Sequence, residues 1–274
     1  MNPTDILGTL IREFPSAMLG SMAVGAACGY LGVYILARRV VFFGAVLTQV
    51  SVLGLALTFL PFIAIPHTVG SLVLTLAFAL LLPRTLRGSR LPADTVLGIV
   101  FVTAIAVRIL ILQHTPKVEV SEIENLLRGD ILFVTADLVY PTVITTALAI
   151  AVLLALFKEF RYVTFDAETA RTQGYRAGLW DTLFYGIAGA VIALSTHLVG
   201  DIFVFGFIVI PPAAAMLLSQ RVSRILLLAV LIGGIAPFAG LFLAFLLDLP
   251  ASPTSVAVAG VVLLAAALGT ALRR

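Results

Sequence analysis

About nine apolar runs, each near the ~20 residues that an α-helix needs to cross a bilayer, follow one another from about Ser16 to the C-terminus. No other feature constrains the fold so strongly. Between charged or Pro/Gly breaks the runs fall at about 17–37, 42–65, 68–83, 94–113, 131–157, 181–199, 200–218, 223–247 and 254–272. The expected fold is therefore all-α, a polytopic membrane bundle of about nine helices, with eight as the alternative. The count is softest over 181–218, where only Gly200-Asp201 divides two runs. Pro211-Pro212 is expected to break the second of these, since each proline removes a backbone donor and crowds the preceding turn.

Composition agrees. Charged residues are 11% of the chain and the mean hydropathy is +1.15, against roughly 25% charged in a soluble domain. Cys28, the one cysteine, sits within an apolar run, which excludes an internal disulfide or a cysteine-based metal cluster in one chain. The first run is too long for a signal peptide and ends in Arg38-Arg39, so it is expected to stay as a membrane helix. No repeat or soluble domain interrupts the chain, which reads as one transmembrane domain over 1–274.

Lys and Arg concentrate in cytoplasmic loops. Thirteen of the 17 lie in alternate loops: Arg38 and Arg39; Arg84, Arg87 and Arg90; Lys158, Arg161, Arg171 and Arg176; Arg221 and Arg224; Arg273 and Arg274. This places the N-terminus outside and the C-terminus inside, and favours an odd helix count. Arg12, Lys117 and Arg128 fall on the other side, and Arg108 lies near enough to a helix end to snorkel. Asp5, Glu13, Glu119, Glu122, Glu124, Asp130, Asp201 and Asp248 also map outside, as do His67, His114 and His197. They form either a solvated face or an acidic vestibule that concentrates cations. Of these groups, His197 and Asp201 are the candidate metal contacts.

The longest inner segment, about 158–180, carries helix punctuation of its own. Asp166 suits an N-cap, Glu168 adds negative charge near the positive helix end, and Gly174 suits a left-handed stop. A helix of about two turns is unstable alone. It rests either on lipid headgroups or in a groove of a cytoplasmic motor domain.

Three patches together resemble the permease family of zinc, manganese and iron ABC importers. The first runs from Gly32-Val33-Tyr34 through Arg38-Arg39 to Gly44 and Gly54. The second is Arg128-Gly129-Asp130-Ile131-Leu132 with Asp137-Leu138. The third joins Phe165, Asp166, Glu168, Ala170, Arg171 and Gly174 to Gly200 and Pro211 with Ala213-Ala214-Ala215. The resemblance implies a type II ABC importer-like bundle in the bacterial cytoplasmic membrane, with residues 165–174 as the coupling helix. It also implies two paired permeases, identical or related, an extracytoplasmic binding protein, and a separate cytoplasmic subunit that binds ATP and Mg. No cofactor is expected on this chain.

One departure bears on cargo. The family carries an Asp and a His, four residues apart, where this chain has Ala45 and Gln49. Alanine offers no ligand, and an amide is a poor substitute for imidazole with a transition metal. So either the metal passes with few protein ligands, or it travels chelated, or a permease of this architecture carries a non-metal substrate. Thr48, Gln49 and Ser51 leave a polar stretch in a membrane helix, expected either to line the substrate pathway or to hydrogen-bond between helices. Gly25, Gly29 and Gly32 suit close helix approach. Neither an ion-coupled carrier nor an intramembrane enzyme fits well. The helix centres hold almost no ionisable groups, and no His-Glu-x-x-His, Gly-x-Ser-x-Gly or Walker A motif occurs.

Overall fold

A computed structural model describes residues 12, 14–60, 63, 65–113, 115, 136–165, 172 and 174–272. Ten helices and no strand occur among the described residues. They are α1 (Pro15–Ala37), α2 (Phe42–Leu57), α3 (His67–Gly88), α4 (Ala93–Leu112), α5 (Ala136–Ala155), α6 (Phe157–Phe165), α7 (Ala177–Val199), α8 (Asp201–Leu218), α9 (Val222–Leu247) and α10 (Ala251–Ala271). Each of the nine apolar runs contains one of these helices. Seven are long and apolar enough to cross a membrane, and the bent pair α5–α6 makes an eighth candidate. The shorter apolar helix α2 stands in the one remaining run, the second along the chain.

Three boundaries differ from expectation, each for a local reason. Helix α2 stops at Leu57, short of the expected 65. Thr58, Phe59 and Leu60 donate to carbonyls three residues back, tightening the last turn, and Pro61 follows in the chain. The run expected over 131–157 ends at Ala155, and the chain then bends by 76° into α6. The α6 sequence, Phe-Lys-Glu-Phe-Arg-Tyr-Val-Thr-Phe, buries Phe160 and Val163 while carrying three charges, so it lies across the bundle end rather than in the apolar layer. The helix observed here occupies 157–165, ahead of the expected coupling helix.

The third difference concerns Pro211-Pro212. Helix α8 runs unbroken through both. Pro212 has no N–H to offer the Ile208 carbonyl, and α1 covers that carbonyl with Gly32, where a built Cβ would collide with the Ile208 oxygen and the Pro212 ring. The same device recurs one heptad earlier. Pro237 withholds its donor from the Gly233 carbonyl in α9, and Gly25 of α1 lies against that oxygen. A glycine lets the backbones approach closely enough for Cα–H groups to face freed carbonyls, a weak compensation that suits a bilayer interior.

Helix α1 is consequently the hub of the bundle. It buries Val24, Ala27, Cys28, Leu31, Val33, Tyr34 and Ile35 against its neighbours and packs on α9, α8, α5 and α7. Exposed apolar faces such as Val102, Leu110, Ile144, Leu148, Leu264 and Leu268 look outward from α4, α5 and α10, as lipid-facing surfaces do.

Candidate functional site

A polar side chain inside such a bundle requires a partner, because no water replaces a missing hydrogen bond. Gln49, midway along α2, has two. Its Nε2 donates to Asp201 Oδ2 at 2.8 Å, and its Oε1 accepts from an Arg108 terminal nitrogen at 2.9 Å. Guanidinium, amide and carboxylate thus form one chain across α4, α2 and α8. The partners lie 59 and 152 residues from Gln49 in sequence. Asp201 opens α8 immediately after Gly200, whose φ of +84° makes the sharp turn from α7. Its negative charge sits at the positive end of the helix dipole.

Among the described residues four buried polar side-chain atoms have no hydrogen-bond partner: Asp201 Oδ1, which belongs to this chain, and His197 Nε2, Ser195 Oγ and Thr146 Oγ1. His197, at the end of α7, lines a narrow cavity with Ser51, Val52, Leu55 and Thr196. His67, at the start of α3, is engaged otherwise. Its Nδ1 meets Thr58 Oγ1, and its ring stacks on Phe59 with centroids 4.4 Å apart. His114 lies outside the described residues. Among the described residues no three His, Cys, Asp or Glu side chains converge on a metal-sized site.

The three polar residues expected along the pathway take different roles. Gln49 is the one joined to charged partners. Thr48 is buried and donates to the Ala45 carbonyl of its own helix at 2.9 Å. Ser51 pairs with Ser71 of α3 at 2.7 Å and donates to the Ala193 carbonyl at 3.5 Å. Ala45 is buried and brings no donor. Arg108 was read as a snorkelling residue and instead turns inward to Gln49. A charge this close to a helix end can snorkel or turn inward, and only the placement of α2 beside it decides between them.

Of the coupling residues, Phe165 is the last residue of α6, and its ring lies 6.5 Å from that of Tyr34 in α1. Gly174 has φ +83°, the left-handed conformation. Asp166, Glu168, Ala170 and Arg171 lie outside the described residues.

Known proteins share this architecture. A solved chain described as "PsaBC from Streptococcus pneumoniae in complex with Fab" superposes with a TM-score of 0.84 at 21% identity, covering 96% of this chain and 94% of that one, which shows a common fold. "Chelated iron transport system membrane protein YfeC" of Yersinia pestis is 28% identical over 228 residues, 83% of this chain and 76% of that protein. "Manganese transport system membrane protein MntC" of Listeria innocua is 25% identical over 246 residues, 90% of this chain and 86% of its own length. The family model described as "ABC 3 transport family" matches residues 12–270, nearly the whole sequence. The chain therefore belongs to the ABC 3 transport family, as a membrane-spanning transport subunit rather than an enzyme.

Proposed function

We propose that this chain is the permease through which a metal, as zinc, manganese or iron ion or as a metal chelate, enters the cell across a bacterial cytoplasmic membrane. Movement is by alternating access, driven by a separate ATPase subunit that holds ATP and Mg. An extracytoplasmic binding protein delivers the cargo, and two permease copies, identical or related, enclose the route. The names of the relatives, for iron and for manganese transport, support the cargo class. The bias of basic residues supports an outer N-terminus and inner C-terminus. Residues 165–174 then face the ATPase as the coupling segment, with Asp166, Glu168 and Arg171 as its polar contacts.

The observation that carries the reading is the Arg108–Gln49–Asp201 chain. It joins two ionisable groups inside an apolar bundle through Gln49, which stands where the resembled family carries its His. Asp201 Oδ1 and His197 Nε2 add one oxygen and one nitrogen without hydrogen-bond partners. So few protein donors suit an ion in transit, which must bind weakly enough to leave. Arg108 favours the chelate over the bare ion. A fixed positive charge bonded to Gln49 opposes a naked dication and accommodates anionic donor groups.

The test is reconstitution of the permease with its ATPase and binding protein in vesicles, followed by uptake of free and chelated zinc, manganese and iron. ATP-dependent accumulation of one metal supports the proposal, and preference for the chelated form supports the role given to Arg108. Uptake of a non-metal solute with no response to any metal contradicts it.

A further inference from the structure

Arg38 closes α1 at the end opposite the Gln49 chain. Its side chain is only 9% exposed, and each of its three guanidinium nitrogens donates a hydrogen bond. One terminal nitrogen donates to Asp181 Oδ1 at 2.7 Å, as an ion pair. Nε and the other terminal nitrogen both donate to Thr164 Oγ1, at 3.2 and 3.0 Å. The plane of the group lies over the Phe184 ring, 4.3 Å from its centroid.

The two acceptors flank one stretch of chain. Thr164 is the next-to-last residue of α6, and Asp181 is the fifth residue of α7. Between these helices lie residues 166–176, which include most of the expected coupling segment. We propose that Arg38 is the pin that ties both feet of this segment to α1, so that motion imposed on the segment is delivered to the bundle core. Resting on the reading of 165–174 as the coupling segment, the inference assigns Arg38 a positioning role.

The chemistry suits arginine alone. A planar fork can satisfy a carboxylate and a hydroxyl together while stacking on an aromatic ring, whereas lysine presents one compact charge and no stacking plane. Phe165, one residue beyond Thr164, adds a ring contact to Tyr34 of α1. From α1 the route continues through rigid contacts. Gly32 lies on Ile208 and Pro212 of α8, and Gly25 on Gly233 of α9. Helix α8 carries Asp201 at its far end. A displacement of α1 is thereby transferred to the helix that holds the carboxylate of the candidate site. Spatial continuity alone does not demonstrate coupling, so the decisive quantity is transport per ATP.

The experiment uses the complete reconstituted complex and compares wild type with Arg38→Lys, Asp181→Asn and Glu168→Ala. The readouts are metal accumulated per ATP hydrolysed and thermal stability of the purified permease. Arg38→Lys keeps the charge and loses the fork. Asp181→Asn leaves Arg38 intact and serves if the lysine variant fails to fold. The expected result for both is a fall in metal per ATP of roughly tenfold, with ATPase activity retained and thermal stability close to wild type. Wild-type coupling in both, while Glu168→Ala uncouples, overturns the pin and leaves the coupling segment standing. Wild-type coupling in all three overturns the coupling reading, and the pin with it.

Discussion

Gln49 Nε2 lies 2.8 Å from Asp201 Oδ2, while the other end of the same amide accepts from Arg108. A neutral side chain thus connects two opposite charges inside an apolar bundle. Replacing Gln49 with leucine removes both bonds and leaves a carboxylate and a guanidinium without their bridge, at a cost of about 1–3 kcal/mol for each buried group left unpaired. Uptake by Gln49→Leu is expected to fall roughly tenfold or more. Assembly with the ATPase, followed by co-purification, is expected to be unchanged. Uptake at the wild-type rate would show that the chain is structural only.

The glycines of α1 give a prediction about stability. Gly32→Val and Gly25→Val force side chains onto the carbonyls of Ile208 and Gly233. Each is expected to destabilise by about 1–3 kcal/mol or more, as overpacking does. Gly98→Ala in α4 is the control. Its built Cβ meets nothing within 4 Å, and removing a mid-helix glycine is worth roughly 0.5–1 kcal/mol in favour of the fold. Thermal unfolding in detergent should therefore order the proteins Gly98→Ala at or above wild type, with both valine variants well below. Equal midpoints would contradict the close approach of α1 to α8 and α9.

Thiol labelling checks the orientation. Cys28 has no exposed surface, so the native protein is expected to resist maleimide until denatured. In a Cys28→Ser background, Gln220→Cys is expected to label only from the inside of the membrane, and Leu249→Cys only from the outside. Both positions are exposed. The reverse pattern would invert the topology inferred from the basic loops.

Much of this was legible in sequence because membrane helices announce themselves by length and hydropathy. Gln49 stood out as an amide within an apolar run, and Gly25 and Gly32 as small residues spaced along one helix. What was not legible depends on partners distant in the chain. Arg108 reads as a snorkelling side chain until α2 and α8 are placed beside it. Pro211-Pro212 reads as a break, because the glycine that covers the freed Ile208 carbonyl belongs to another helix. The bend after Ala155 escaped for a different reason. The apolar run continues through Leu156 and Phe157, and only the burial of Phe160 and Val163 reveals that α6 turns onto the bundle end.

The most direct measurement of the central claim is the metal content of cells with and without this chain, across zinc, manganese and iron, with uptake followed when each is scarce. The account predicts a selective loss of one metal on removal, restored by the wild-type chain and not by Gln49→Leu. Unchanged content and uptake of all three metals would contradict a metal cargo and leave a permease of this architecture serving another substrate.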